Sequence, residues 1–310
     1  MGRRRKKGRP ISGWLIIDKA YDVGSTEAVS KAKWLFQAQK AGHAGTLDPL
    51  ATGVLPIALG EATKTAAYVM DAEKHYRFKA TWGERRATDD VEGDVIATSD
   101  KRPSRDEIEA ALGRFTGEIE QVPPQFSAIK VGGERAYDIA REGEEVKLQP
   151  RQVTINDFKL IDVPSADEAV FEAKTGKGAY VRALVRDLAQ VLGAEGYVSE
   201  LRRLAVGSLR AEDGVTLEAL EALDTLDSRD AVLLPIADAL TALPQAAIDG
   251  PQADRLRHGQ AAIITPAVAK GVRGERVGEV EGVLAVMHDE AVAICTLDGL
   301  KLKPARVLNN

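Results

Sequence analysis

Residues 42–64, GHAGTLDPLATGVLPIALGEATK, are the most informative stretch of this 310-residue chain. Four glycines and two prolines interrupt the stretch, which are too many breaks for a buried helix. Asp48 precedes Pro49, and a residue before proline is kept out of the helical region. The sequence therefore predicts that a stiff loop presents the Asp48 carboxylate. Local chemistry by itself favours a structural role for Asp48, as an Asp-Pro turn or a helix cap.

Generic catalytic and metal-binding motifs do not explain this stretch. The sequence has no GxxxxGK[ST], GxGxxG, HExxH or GxSxG pattern. His43, His75, His258 and His288 are scattered without the spacing of metal ligands, and Cys295 is a single cysteine inside an apolar run. We therefore expect a buried Cys295, no disulfide, no metal and no redox cofactor.

The charge of the chain is distributed unevenly. The first ten residues hold six cations, so that a chain of net charge −5 has a body of net charge −11. Phosphate contacts act within a Debye length of ~8 Å, so net charge neither supports nor excludes an RNA partner. We expect residues 1–10 to form a basic disordered tail. No signal peptide or membrane span is predicted, which favours a cytoplasmic protein.

The periodicity of the chain predicts an α+β fold. Helices are expected at residues 25–36, capped by Ser25 or Thr26, and after Ser104, which forms a capping box with Glu107. Residues 75–82 alternate as a half-buried strand with a basic outer face, and an apolar stripe predicts a helix over residues 181–192. These elements do not alternate regularly, which argues against a doubly wound sheet. After residue 240, short apolar runs separated by turns indicate a small all-β domain.

The stretch at residues 42–64 resembles the active-site segment of bacterial tRNA pseudouridine-55 synthases of the TruB type. Further matches to this family follow in the expected order over nearly the whole chain. They are IIDKAYDVGSTEAVSKAKWLF (16–36), KHYRF (74–78), QVPPQFSAIKVGGERAYDIAREG (121–143), GKGAYVRALVRDLA (176–189) and LRRLAVG (201–207).

The resemblance implies a fold and a domain organisation. The expected fold is α+β, with a large mixed, mainly antiparallel sheet flanked by helices, plus a small C-terminal PUA-like β domain. Residues 11–240 would form the catalytic domain, within which residues 121–150 would form an arm that closes on the T-arm of tRNA. Residues 241–310 would form the RNA-binding domain.

The resemblance also assigns three catalytic roles. Asp48 would be the nucleophile, Arg182 its ion-pair partner, and Tyr76 the aromatic ring that stacks on the uracil and assists removal of the C5 proton. A guanidinium beside Asp48 would keep that carboxylate ionised and oriented. Without the resemblance, Arg182 would be a solvated cation at a helix start, and Tyr76 could equally be a core tyrosine.

Five further residues carry over as contacts to uridine or RNA. Tyr180 and Leu201 would wall the uracil pocket, although Leu201 is equally natural in a core. His43 would contact RNA beside the flipped nucleotide. Lys19 and Lys64 would support the pocket or contact phosphates.

The function implied is isomerisation of the T-loop uridine at tRNA position 55 through base flipping, without a cofactor, a membrane or an obligate protein partner. One alternative is an RNA-binding factor that folds tRNA and whose catalysis is dispensable. Another is a guide-RNA-dependent relative that modifies ribosomal RNA. Whether Asp48 attacks the base or the sugar stays open. The departures from the family pattern are Ala20, Asp22, Arg86, Ala87, Ala179 and Tyr197.

Overall fold

The computed structural model describes residues 8–127, 129–131, 134–135, 139 and 148–309. The helices are α1 (Ser25–Leu35), α2 (Ala66–Asp71), α3 (Arg105–Leu112), α4 (Val181–Val191), α5 (Leu217–Glu221), α6 (Leu226–Asp230), α7 (Gly250–Arg257) and α8 (Pro266–Arg273), with 3₁₀ turns at Gly60–Thr65, Gly113–Phe115, Ala211–Asp213 and Asp238–Leu240. The strands are β1 (Gly13–Lys19), β2 (Ala41–His43), β3 (Thr52–Leu59), β4 (Lys74–Trp82), β5 (Glu84–Arg86), β6 (Val95–Thr98), β7 (Gly117–Gln121), β8 (Lys130–Val131), β9 (Glu134–Arg135), β10 (Arg151–Ser165), β11 (Glu168–Thr175), β12 (Gly196–Val206), β13 (Leu209–Arg210), β14 (Gln245–Ala247), β15 (Ala262–Ile263), β16 (Val280–Met287), β17 (Glu290–Asp298) and β18 (Lys301–Val307).

The chain divides into two compact units, which are described separately. Unit 1 combines the residues up to 70 with those from 205 onward, and unit 2 comprises residues 71–204. In unit 1, strand β3 pairs antiparallel with both β1 and β2. Nearly every side chain of β1 and β3 is buried, as their continuous apolar runs require. The loop that carries Asp48 connects β2 to β3 and is therefore anchored at both ends by paired strands of one sheet.

The C-terminal part of unit 1 contains a five-stranded sheet in the order β14-β16-β17-β18-β15. The prediction of an all-β segment was incomplete, because helices α7 and α8 pack in the same hydrophobic cluster as this sheet. Both helices have clear start signals: Asp249 forms a capping box with Gln252, and Thr265 caps a helix that begins with Pro266.

Unit 2 is built on the strand order β12-β4-β11-β10-β7, and the pairs β4–β11, β11–β10 and β10–β7 are antiparallel. Its core contains a cluster of aromatic rings, in which the Phe78 and Phe171 centroids are 5.5 Å apart and Phe158 lies 5.4 Å from Phe171. Helices α3 and α4 supply apolar side chains to the same cluster. The predicted alternation of β4 and the stripe of α4 are confirmed.

The predicted cap of the first helix was wrong. Helix α1 begins at Ser25, but its N-cap is Gly24, and the Ser25 hydroxyl bonds to the main chain of Leu47 instead. The capping box of Ser104 and Glu107 is confirmed. A serine at a helix start can serve either its own helix or a neighbouring loop, and sequence spacing does not distinguish the two.

The α+β class with a large, mainly antiparallel sheet and a separate C-terminal sheet is confirmed. Residues 1–7 of the predicted tail and residues 128, 132–133, 136–138 and 140–147 of the predicted arm lie outside the described residues. Among the residues described, no helix is both long and apolar enough to cross a membrane.

Candidate active site

Asp48 lies in the loop between β2 and β3 of unit 1 and is half-buried. Its carbonyl oxygen accepts a hydrogen bond from the Ala51 amide at 3.0 Å, which closes a turn around Pro49. The prediction that a proline-stiffened loop presents this carboxylate therefore agrees with the local geometry.

Two side chains hold the main chain on either side of Asp48. The fully buried ammonium of Lys19 donates to the carbonyls of Ala20 and Pro49, both at 2.9 Å. The Ser25 hydroxyl donates to the Leu47 carbonyl at 2.7 Å and accepts from the Leu47 amide at 2.9 Å. Residues 47 and 49 are thus fixed, and Asp48 lies between them. Lys19 was predicted either to support the pocket or to contact phosphates, and this geometry favours support of the loop.

Asp22 is one of the departures from the family pattern, and the local geometry explains how it is accommodated. It takes the place of a usual glycine, and its φ of 60° lies in the left-handed region that glycine adopts easily. Aspartate tolerates this region better than most residues. The Asp22 amide donates to the Pro49 carbonyl at 2.9 Å, so this unusual conformation adds a third anchor to the loop.

His43 and Lys64 also lie in unit 1. His43 is the last residue of β2 and pairs with Ile57 of β3. The loop that carries Asp48 begins directly after it. The Lys64 ammonium lies 2.5 Å from a Glu61 carboxylate oxygen and donates to the Val307 carbonyl at 2.7 Å. Burial would raise the pKa of Glu61, but hydrogen bonds from Lys64 and from the Asn309 amide lower it overall. Lys64 therefore ties its 3₁₀ turn to the C-terminal strand β18.

In unit 2, Tyr76 and Leu201 pack against the same hydrophobic cluster, and both are partly buried. Ala179, which departs from the family pattern, packs there as well. The structure thus brings Tyr76 and Leu201 to one core. Lys74, two residues before Tyr76 on β4, is buried, and burial together with the nearby Arg203 lowers its pKa to about 8.

Tyr180 is the N-cap residue of α4 and is half-buried. The side-chain amide of Gln121 brackets its main chain, accepting from the Tyr180 amide at 2.8 Å and donating to its carbonyl at 3.1 Å. Gln121 is 2 % exposed and ends β7, so a sheet strand fixes where α4 begins. The sequence analysis did not single out Gln121 for this role, although it lies in a matched motif.

Arg182 is buried in the first turn of α4, whereas local sequence favoured a solvated position. Its guanidinium donates to the carbonyls of Thr88 at 2.9 Å and Phe126 at 3.0 Å, and lies 3.2 Å from a carboxylate oxygen of Asp90. Asp90 is itself fixed, because it accepts from the Thr88 hydroxyl and from the Glu92 amide. The turn of residues 88–90 and the Phe126 carbonyl therefore both orient the Arg182 guanidinium.

Arg186 extends this network one turn further along α4. It donates to Asp89 at 2.9 Å, to Asp187 at 2.8 Å and to the Val122 carbonyl at 2.7 Å. Burial raises the pKa of Asp89 and of Asp187, and Arg186 opposes that rise without cancelling it. Asp89 also has a φ of 60°, uncommon for a residue with a side chain. Nothing in the sequence pointed to Arg186 except its spacing of four from Arg182.

Two further departures from the family pattern contact each other. The Arg86 guanidinium lies 4.6 Å from the centroid of the Tyr197 ring, within the range of a cation–π interaction. Arg86 also donates to the carbonyls of Val91 and Gly93 and so braces the turn that carries Asp90. These two substitutions therefore form one local contact rather than two separate disturbances.

The outer face of β4 is less basic than its sequence indicates. Glu172 contacts His75 at 3.0 Å and Arg77 at 2.7 Å, and Lys79 pairs with Glu168 at 3.2 Å and Glu200 at 2.5 Å. The carboxylates come from other strands, so the strand sequence by itself could not show that its cations are neutralised.

The predicted catalytic residues are thus distributed over both units, with Asp48 in unit 1 and Tyr76 and Arg182 in unit 2. Chemically, the fixed loop presents a carboxylate suited to nucleophilic attack, and α4 presents a buried, oriented guanidinium. The described residues contain no group of three or more His, Cys, Asp or Glu side chains placed to hold a metal ion.

Comparison with protein families gives two consecutive matches. Residues 33–181 match the N-terminal domain of the TruB family of pseudouridylate synthases, and residues 182–241 match the tRNA pseudouridylate synthase B C-terminal domain. Among similar curated proteins is the tRNA pseudouridine synthase B of Caulobacter vibrioides, 50% identical over 304 residues and covering 98% of each chain. The protein of the same name from Agrobacterium fabrum is 51% identical over 311 residues, covering 98% of this chain and 96% of the other.

Solved structures show the same fold at lower identity. A Cbf5-Nop10-Gar1 complex contains a chain that superimposes with a TM-score of 0.72 at 24% identity, covering 96% of this chain and 85% of the other. A chain of an H/ACA RNP bound to a substrate RNA containing 2'-deoxyuridine gives a TM-score of 0.71 at 22% identity, with coverage of 100% and 92%. At these identities the likeness concerns the fold.

Proposed function

We propose that this chain, which belongs to the TruB family of pseudouridylate synthases, converts the T-loop uridine at position 55 of tRNA to pseudouridine. The observation that carries the proposal is identity of about half over 98% of the chain to proteins named tRNA pseudouridine synthase B. The Asp48 loop, held on both sides by Lys19 and Ser25, supports it.

The reaction is an isomerisation that needs no second substrate. The bond between ribose C1′ and uracil N1 breaks, the base turns, and a bond from C1′ to C5 forms. The proton leaves C5, and N1 ends protonated, so atoms and charge balance. A carboxylate nucleophile divides this exchange into two easier steps by holding either the sugar or the base covalently.

We assign the nucleophile to Asp48. In this proposal Arg182 pairs with Asp48 and keeps that carboxylate ionised, while Asp90 and two carbonyls hold the guanidinium in place. Tyr76 stacks on the uracil and assists removal of the C5 proton. Tyr180 and Leu201 line the pocket that receives the flipped base.

The substrate is an RNA loop, where unstacking a base costs least. We propose that residues 121–150 act as the arm that grips the T-arm, and that the C-terminal sheet region, residues 241–310, acts as a PUA-like RNA-binding domain. His43 would contact RNA beside the flipped nucleotide. A tRNA-modifying enzyme of this kind would work in the cytoplasm.

Release of tritium from 5-tritiated uridine in an unmodified tRNA transcript tests the proposal. The wild-type protein should release about one equivalent per tRNA, since one C5 proton leaves in each isomerisation. Asp48→Asn should release none but should bind the same transcript within a few-fold of wild type.

A matched transcript with cytidine at position 55 is the control for the site of modification. It should release no tritium with wild-type protein. Full release from that control transcript would exclude position 55, and turnover by Asp48→Asn would exclude Asp48 as nucleophile.

A further inference from the structure

A short turn of unit 2, residues 87–94, supplies two of the groups that hold Arg182. The Thr88 carbonyl accepts from the Arg182 guanidinium at 2.9 Å, and an Asp90 carboxylate oxygen lies 3.2 Å from it. Thr88 and Asp90 are both buried. The turn connects β5 to β6, which form a two-stranded sheet of their own. The position of this turn therefore helps to decide where the Arg182 guanidinium lies.

The turn is packed closely against itself. A Cβ added at Gly93 would lie 2.5 Å from the Thr88 amide nitrogen and 2.6 Å from the Thr88 hydroxyl oxygen. The same hydroxyl donates to the Asp90 carboxylate. Because the two sides of the turn are in contact, a displacement of residues 91–93 is passed on to the groups that hold Arg182.

Arg86 holds the second side of this turn. Its guanidinium donates to the carbonyls of Val91 and Gly93, both at 3.3 Å, and to the Glu84 carboxylate at 2.8 Å. A planar guanidinium has five donors in a fixed geometry and can serve these acceptors at once, whereas the ammonium of a lysine acts as a point charge on a flexible stem. Arg86 thus fixes the residues that pack on Thr88.

Strand β12 ties the same turn to the sheet of unit 2. The ring centroid of Tyr197 lies 4.6 Å from the Arg86 guanidinium, within the range of a cation–π interaction. The amide of the next residue, Val198, donates to the Asp89 carbonyl at 3.0 Å. Both contacts come from the first residues of a long strand, so the turn is held to a fixed part of the unit.

We propose that Arg86 and Tyr197 are positioning residues, which set the orientation of the Arg182 guanidinium through the turn of residues 87–94. Their removal leaves Arg182 in place in the sequence but shifts its acceptors. The chemical step should then slow while the affinity for tRNA stays unchanged, because catalysis depends on the alignment of the reacting groups. The effect on turnover rests on the proposed function, in which Arg182 pairs with Asp48.

Nuclear magnetic resonance of isotope-labelled protein tests the orientation without reference to activity. The Nε–H signal of Arg182 is identified by its disappearance from the proton–nitrogen spectrum of Arg182→Lys. Arg86→Met and Tyr197→Leu should shift or broaden this signal, because its acceptors move. Tyr197→Phe, whose ring still faces the cation, should leave the signal in place.

Single-turnover release of tritium, with protein in excess over transcript, measures the effect on the chemical step. Arg86→Met should slow release by about 10- to 100-fold. Tyr197→Leu should slow it by about 3- to 10-fold. The Kd for the transcript should stay within about twofold of wild type in both variants. The double variant should be no slower than Arg86→Met, because Tyr197 acts through Arg86.

Two further variants separate positioning from a general loss of stability. Arg86→Lys should recover part of the rate that Arg86→Met loses, because the ammonium still faces the ring of Tyr197. Arg102→Met is the matched control in the same unit. Arg102 also donates to a carbonyl and a carboxylate, those of Ser99 and Asp167, but both acceptors lie outside the turn. This control should leave the Arg182 signal and the rate of release unchanged.

Three results would overturn the inference. An unaltered Arg182 signal in Arg86→Met would show that the turn does not depend on Arg86. A weaker affinity for tRNA at an unchanged rate would mean that Arg86 contacts RNA. Equal effects of Arg86→Met and Arg102→Met would indicate a general loss of stability. An absence of tritium release by wild type would instead contradict the proposed function, and the resonance measurement would still test the role of Arg86.

Discussion

The loop around Asp48 and the start of helix α4 are held in place by different kinds of interaction. Around Asp48, the anchors are hydrogen bonds to main-chain atoms, made by the Lys19 ammonium, the Ser25 hydroxyl and the Asp22 amide. At α4, Arg182 and Arg186 are held by carboxylates and main-chain carbonyls together. One region is fixed by main-chain hydrogen bonds and the other by a charged network.

This difference predicts different sensitivities. The Ser25 hydroxyl and the Asp22 amide do not titrate near neutral pH, so the anchors that they make should persist over a wide pH range. A buried charge network depends on every member, because removing one partner leaves another charge desolvated and unpaired. Two mutations that reduce turnover equally, one in each region, should therefore change the free energy of unfolding by different amounts.

The largest expected contrast is between Asp48→Asn and Arg182→Ala. Both should reduce turnover severely, with the loss for the nucleophile on the order of 10⁴-fold or more. Asp48→Asn should change the free energy of unfolding less than Arg182→Ala does, because Asp48 is half-exposed and the substitution is nearly isosteric. Arg182→Ala should cost about 3–5 kcal/mol, because Asp90 stays buried without its cation.

Urea denaturation of both variants, combined with tritium release, measures this contrast. If both variants lost the same free energy of unfolding, the charged network would not make α4 more sensitive to mutation than the loop. Turnover by Arg182→Ala within a few-fold of wild type would exclude the proposed pairing with Asp48.

A second prediction concerns Arg186→Met. Because burial raises the pKa of Asp89 and of Asp187, the folded state binds protons more readily than the unfolded state, and stability falls as pH rises through that range. Removing Arg186 should raise both pKa values further. The variant should lose about 3–5 kcal/mol at pH 7, and the loss should shrink toward pH 4, where the carboxylates take up protons.

Denaturation of wild type and variant at both pH values gives the difference directly. Arg105→Met is the matched control, since Arg105 is exposed on α3 and pairs with Glu109, so it should change stability by less than about 0.5 kcal/mol at either pH. A loss for Arg186→Met that is independent of pH would mean that Asp89 and Asp187 do not rely on its charge.

The smallest effect is expected in the Asp48 loop. Ser25→Ala removes both hydrogen bonds to Leu47 and should cost about 1–2 kcal/mol, because the amide and carbonyl of a buried residue lose their partner. Ser30→Ala is the control, as this exposed serine donates to the Thr26 carbonyl of the same helix. The Ser25 effect should be the same at pH 5 and pH 8. A clear pH dependence would show that the hydrogen bonds between Ser25 and Leu47 depend on a titrating group.

Sequence patterns were sufficient where the cause of a structure is local. The capping box of Ser104 and Glu107 contains its whole mechanism within four residues, and β4 is specified by the alternation of its side chains. The proline after Asp48 restricts the backbone of its neighbour, so the loop could be predicted from two residues. The match of residues 42–64 to one family added the chemical roles, which no local pattern supplies.

Tertiary structure decided whatever depends on partners distant in sequence. The hydroxyl of Ser25 caps no helix because Leu47 offers it both a donor and an acceptor. The cations of β4 are neutralised by carboxylates from β11 and β12, and Arg182 is buried because Thr88, Asp90 and Phe126 meet at its guanidinium. A charged side chain is buried only where the folded chain supplies its counter-charges and acceptors. The sequence by itself thus determined the elements and the reactive loop, while the fold determined which polar groups are paired.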